Sequence, residues 1–228
     1  MAFNYSPKVI TDGLVLYLDA ANTRSYPGTG TAWNDLSRGG NNGTLINSPT
    51  FNSANGGNIV FDGVDDYVSV TGSITVTAAT FITWLRRNGT QDFYDGILYS
   101  RSTDVTGIGF YSNGTTLSYT WNGAMSTWQW NSGLVTPNLN WCMVAVSVTS
   151  SSAVAYLGQS SGITSATNSV SHASTTINAL MVGRDATVPP ATVRYFNGNI
   201  AQSLVYNRAL SSTEILQNYN ATKTRFGL

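Results

Sequence analysis

The sequence predicts an all-β protein, an antiparallel sandwich that ends in one short C-terminal helix. Three observations carry this. Asn-Gly or Asp-Gly occurs nine times, starting at residues 12, 42, 55, 62, 88, 95, 113, 122 and 197, and such pairs tolerate the positive φ that tight hairpin turns demand. Between them lie short alternating or apolar runs rich in β-branched and aromatic residues. Near the C-terminus the period changes from that of a strand to that of a helix.

The turn pairs punctuate the strands in order. Asp12-Gly13 opens a strand at 13–18, and Asn55-Gly56 and Asp62-Gly63 bracket 57–62, with 66–71 following. A strand at 79–87 ends at Asn88-Gly89, and Asp95-Gly96 opens 96–101. Asn113-Gly114 separates 106–111 from 115–121, and Asn122-Gly123 turns the chain into 126–131. Strands at 141–149, 152–158 and 178–184 follow, and Asn197-Gly198 precedes 199–206, where Ile200, Gln202, Leu204 and Tyr206 share one face. Ser211 stands three residues before Glu214, a capping-box spacing, with Leu210 and Ile215 at the two positions of a hydrophobic staple. A short amphipathic helix therefore starts there. Many short strands with one terminal helix favour an antiparallel sandwich over a parallel α/β sheet, and no fixed-period repeat suggests a propeller or solenoid.

Composition bounds the function. The 228 residues are 42% hydrophobic and only 10% charged, with 11 basic and 11 acidic side chains. All-β sandwiches of this length commonly form one domain, so we read an extended N-terminal arm over 1–10 and a single domain over 11–228. Without a basic stripe to neutralise phosphates, nucleic acid is not an expected partner. The start of the chain has no basic region followed by an apolar one, so no secretory leader is expected, and no apolar run is long enough to cross a bilayer. The single cysteine, Cys142, lies in an apolar run and reads as a buried, inert thiol.

Several segments carry a family likeness. They are Leu14 to Asp19 and Trp33-Asn34-Asp35-Leu36-Ser37; Phe61 to Val68 in the pattern F-D-G-x-x-D-Y-V; and Phe81, Trp84 and Arg86. Trp141 with Val144, Val154 to Gly158 and Leu180 to Arg184 continue the series, which closes with Phe196-Asn197-Gly198, Tyr206 to Ser211 and Glu214-Ile215. In this order along most of the chain they resemble laminin-G-like domains, which implies a concanavalin A-like lectin jelly roll. Leu157 stands where the family more often has Asn. The opening Asp12 to Asn22 resembles laminin-G-like domains in structural proteins of tailed bacteriophages.

The sequence offers little for catalysis. Glu214 is the only glutamate and His172 the only histidine. The E-x-D-x-E strand of jelly-roll glucanases is absent, so hydrolysis by two carboxyl groups would fall to Asp62, Asp65, Asp66, Asp92, Asp95 or Asp104. Asp65 and Asp66 are neighbours on an extended segment and face opposite ways. A Cys142–His172 dyad lacks any supporting motif, and His172 reads as an exposed loop residue. The expectation is a protein that is not an enzyme.

No cofactor is required. Ca2+ is a candidate, since laminin-G-like domains often carry it and hard oxygen ligands in irregular loops suit it. Its ligands would be Asp19, Asp62, Asp65 and Asp66, with Asn58 as a neutral ligand; the alternative is that these aspartates are turn residues. For carbohydrate, Tyr119 and Trp121 share a face of one expected strand, and Trp128 and Trp130 a face of the next, with Gln129 beside them. The alternative places these faces in the core or in a subunit interface.

Taken together, the resemblance implies a non-catalytic virion structural protein, a capsid decoration or tail-associated subunit assembled in the host cytoplasm. Its expected partners are other virion proteins or further copies of itself, through the arm and the apolar end Phe226-Gly227-Leu228. The alternative is a glycan-binding adhesion module for host-surface recognition, and a polysaccharide hydrolase or lyase ranks third.

Overall fold

A computed structural model describes residues 7–101, 104–186 and 193–228. The strands begin with β1 (Leu14–Asp19), β2 (Ala32–Trp33), β3 (Gly43–Ile46), β4 (Thr50–Asn52) and β5 (Asn58–Asp62). Next come β6 (Tyr67–Val76), β7 (Ala79–Arg87), β8 (Gly96–Arg101), β9 (Val105–Phe110) and β10 (Leu117–Thr120). A one-turn helix, α1 (Met125–Trp128), precedes β11 (Cys142–Val148), β12 (Ala153–Gln159), β13 (Gly162–Asn168) and β14 (Thr175–Val182). The chain ends with β15 (Arg184–Ala186), β16 (Val193–Tyr195), β17 (Asn197–Tyr206) and α2 (Ser212–Thr222).

These strands form the expected antiparallel jelly-roll sandwich. One sheet has the order β13-β12-β11-β7-β17-β5-β4, with β1 also paired to β17. The other runs β10-β9-β8-β14-β6-β3-β2, and β15 and β16 form a separate hairpin. Their inner faces meet in one apolar core that includes Phe81, Leu85, Val144 and Val146 from the first sheet and Val68, Leu98, Ile108 and Val182 from the second.

The central strands of the first sheet are buried on both faces. Ile82, Trp84, Met143, Ala145, Leu204 and Tyr206 point away from the sandwich into a second cluster with Leu210, Ile215, Tyr219 and Phe226. Burial on both sides explains why β7 and β11 do not alternate between apolar and polar residues. Trp84 lies parallel to Tyr219 at 5.7 Å and to Phe226 at 4.3 Å between centroids. Helix α2 approaches so closely that a Cβ at Gly158 would stand 2.7 Å from the Tyr219 ring. The capping box is made: Ser211 Oγ accepts from the Glu214 amide at 3.3 Å, and Glu214 Oε2 accepts from the Ser211 amide at 2.9 Å. Among the described residues no helix is long and apolar enough to cross a membrane.

Several expectations need correction. Residues 126–131 are not a strand: Trp128 N–H donates to Ala124 O at 3.2 Å and Thr127 Oγ1 donates to the same carbonyl at 2.6 Å, which closes a helical turn after Asn122-Gly123. Residues 1–6 of the expected arm lie outside the described residues. The rest is no free arm, because Ile10 N–H donates to Asn218 Oδ1 at 2.8 Å and Gln217 Nε2 to Lys8 O at 2.9 Å. Phe226 is buried against Trp84 and is therefore unavailable for subunit contacts.

Candidate functional site

Alternation sets the site. Leu98 and Ile108 enter the core, so their neighbours Tyr99, Arg101 and Val105 project from the opposite face of the second sheet. Gly107 and Gly109 leave that face bare, and the Tyr99 ring fills the space: a Cβ on Gly109 would stand 3.1 Å from its edge. Tyr99 is tied down by a hydrogen bond between its hydroxyl and Thr120 Oγ1. Above this floor a cavity of about 400 Å³ is lined by Tyr94, Tyr99, Arg101, Trp128, Asp185 and Arg194 among others, within the usual size range for small-molecule sites.

The cavity has an aromatic side and a charged side. Trp128 from α1 stands edge-to-face with Tyr94 at 5.6 Å and 85°. Tyr94 is held at φ 65 in the turn before β8 and also meets Tyr111 at 6.2 Å. The charged side comes from the β15–β16 hairpin. Asp185 is 1% exposed, accepts from Arg101 through both Nε and Nη2, and accepts from Arg194 Nη1 at 3.1 Å. The Arg194 guanidinium lies 5.2 Å from the Tyr94 ring centre, a cation–π distance. Asp95 follows Tyr94 and does not line the cavity. Burial pushes its carboxyl up to about 7, with the Asp92 amide and the Arg194 charge pulling against that rise. The arrangement offers ring faces and guanidinium donors to one small polar ligand, with Asp185 holding the two guanidinium groups in place.

Of the aromatic residues expected to form a platform, only Trp128 lines this cavity. Tyr119 and Trp121 do share a face, but it is the inner one, and they are core residues at 1% exposure each. Trp130 packs against the same core and Gln129 is exposed outside the cavity. His172 is a correction too: it is buried, and Tyr119 OH lies 2.9 Å from its Nε2. Its Nδ1 is 2.9 Å from the Thr149 carbonyl, so Nδ1 carries the proton and Nε2 accepts from Tyr119. Burial lowers its pKa. Cys142 is fully buried and its thiol is pushed up to about 12.

The four aspartates named for calcium separate into two places. Asp62, Asp65 and Asp66 bring carboxylate oxygens within 4.8 Å of one another at the β5–β6 turn. Amides of Val64 and Asp65 offset the burial of Asp62 and hold its pKa low, whereas burial and the Asp62 charge raise Asp66 to about 6. Three oxygens at this spacing suit a hard cation. Asp19 is elsewhere and already satisfied, accepting from Arg225 Nη1 at 2.7 Å, Gln202 Nε2 at 2.7 Å, the Ala21 amide and the Tyr17 hydroxyl. Asn58 is committed to Asn199 and Ala54.

Tyr94, Tyr99, Arg101, Asp185 and Arg194 were not singled out from sequence. The period-two spacing of Tyr99 and Arg101 was the available signal.

None of the curated proteins matches the chain by sequence. Solved structures do match by fold. Domain 4 of AbnA, a GH43 extracellular arabinanase from Geobacillus stearothermophilus in complex with arabinotriose, gives a TM-score of 0.66 at 15% identity, covering 93% of this chain and 100% of that one. Trypanosoma rangeli sialidase in complex with sialic acid gives 0.64 at 16%, covering 95% of this chain and 34% of that one. The binding domain of botulinum neurotoxin DC in complex with SialylT gives 0.66 at 13%, covering 93% and 52%. The chain thus spans about a third of the sialidase and about half of the neurotoxin domain. At these identities the likeness is one of fold alone. A family profile described as the concanavalin A-like lectin/glucanases superfamily (Laminin_G_3) matches residues 62–216, and the chain belongs to that superfamily.

Proposed function

We propose that this protein is a non-catalytic carbohydrate-binding module whose binding site is the cavity between Trp128, Tyr94 and the Asp185 ion-pair cluster. One observation carries the reading. The described structure pairs aromatic surface with fixed polar groups in a cavity on the outer face of the sheet, where a sugar can set its C–H face on a ring and its hydroxyls on the arginine donors. Phe93, 52% exposed and edge-on to Tyr94 at 6.0 Å, extends the aromatic rim. Fold neighbours solved with arabinotriose and sialic acid agree with this class of ligand. The non-catalytic part of the proposal rests on the cavity lining: Asp185 is the one carboxylate there among the described residues, whereas hydrolysis needs two. Glu214 is bound to Arg208 and its helix cap, and Asp185 to two arginines. Neither carboxylate is placed to attack or protonate a ligand.

The test is a glycan array followed by titration calorimetry on the strongest hit. Trp128→Ala is expected to weaken binding at least about tenfold while changing the melting temperature far less than loss of a core tryptophan, because the ring is only partly buried and belongs to neither apolar cluster. Binding is expected to persist in EDTA, since Ca2+ would sit at Asp62, Asp65 and Asp66 and not in the cavity. Equal affinity in the variant would remove this site from consideration.

The finer reading places the module on a virion, as a capsid decoration or tail-associated protein contacting other virion proteins or itself. It is supported by the resemblance of Asp12 to Asn22 to the opening of phage laminin-G-like domains. Mass spectrometry of purified particles from the source is expected to find the chain there, and its absence would end this reading.

A further inference from the structure

The ionic side of the cavity carries more positive charge than it needs for its own neutrality. Two guanidinium groups, Arg101 and Arg194, face a single carboxylate, Asp185, which is 1% exposed and cannot reach solvent itself. Arg101 uses Nε and Nη2 on that carboxylate, and its Nη1 has no acceptor among the described residues. Arg194 uses only Nη1, and its buried Nε has no acceptor among the described residues either. Both side chains keep an open edge, at 20% and 18% exposure. A planar guanidinium with unspent donors in a half-enclosed site is matched best by a second planar oxyanion.

We infer that the cavity selects sugars carrying a carboxylate, which docks against the outward edges of Arg101 and Arg194 while the ring rests on Trp128. This rests on the carbohydrate-binding reading and names its ligand class. The geometry separates the two interactions, because the aromatic contact comes from α1 and the charged contact from β8 and the β15–β16 hairpin. Neutral sugars can use the first but displace water from the guanidinium donors without supplying a charged acceptor, a penalty that an anion removes. Asp95, behind Tyr94, is pushed up to about 7 by burial, so it offsets the excess less than a free carboxylate would.

The experiment compares matched pairs on the unchanged protein: trigalacturonate against its methyl ester, and sialyllactose against its methyl ester, by titration calorimetry at low and moderate salt. At least one acid form is expected to bind about tenfold or more tightly than its neutral partner, with the preference shrinking as salt rises. Arg194→Gln is expected to abolish the preference while retaining weak, Trp128-dependent binding, and it leaves the Arg101–Asp185 pair intact. Equal affinity for acid and neutral forms, with Trp128→Ala still weakening both, would overturn the carboxylate inference and leave the carbohydrate reading standing. No binding of any of the four probes, together with a blank array, would overturn both.

Discussion

Trp121→Ala is expected to destabilise the domain rather than disarm it, costing about 3–5 kcal/mol, the range for emptying a buried tryptophan site. The indole is 1% exposed within the sandwich core and stands edge-on to His172 at 5.8 Å. Its Nε1 donates to Ala173 O at 2.6 Å, so truncation also strips a buried carbonyl of its donor, roughly a further 1 kcal/mol. Against a total stability of about 5–15 kcal/mol the loss is large. For a domain of this length each kcal/mol moves the melting temperature by about 2–4 °C, so a drop of roughly 8 °C or more should be seen. Chemical denaturation gives the free energy directly. A change under about 1 kcal/mol would put Trp121 on the surface and revive it as a ligand residue.

Asp185→Asn is the second change with a large expected effect. It leaves Arg101 and Arg194 side by side with no counter-charge in a site where Asp185 itself is 1% exposed. Breaking a buried pair from one side costs about 3–5 kcal/mol; because both arginine ends reach solvent, we expect roughly 2–4 here. The exposed pair Arg208–Asp12, with Asp12 at 86% exposure, is a built-in control and should contribute at most about 1 kcal/mol. If Asp185→Asn and Asp12→Asn destabilise alike, the ion-pair cluster is not the buried anchor described above.

The two tests divide what could be read in the sequence from what could not. The sandwich, β7, β8, β11, β17 and the capped helix were legible because each depends on local period or on a short spacing such as Ser211 to Glu214. The edge strand β13, with exposed Thr164 and Ser165, was missed because it buries little and so does not alternate. Likewise β2, β4, β15 and β16 are two or three residues each, too short for any period. The alternation of Trp128 and Trp130 suggested a strand, but a local helical turn anchored on Ala124 decides the backbone there.

The site itself was mostly hidden. Alternation reported that Tyr119 and Trp121 share a face, not which side of the sheet that face is on. Asp185 and Arg101 are 84 residues apart, and nothing local in either segment announces their pairing. Tyr94 reaches the cavity through a positive-φ turn, a conformation a tyrosine rarely signals in advance. Trp128 was legible as a ligand candidate for a reason that proved wrong, its place on a strand, and it remains one because α1 carries it to the cavity rim.

The most direct test of the carbohydrate site is an NMR map of amide and indole shift changes during titration with the strongest array hit. The largest changes are predicted at Tyr94, Arg101, Trp128 and Arg194, with Trp121 unmoved. Changes centred on the separate cleft of about 410 Å³ formed by Leu139, Trp141 and Phe226 would contradict the site, and saturating ligand with no localised change would contradict the function.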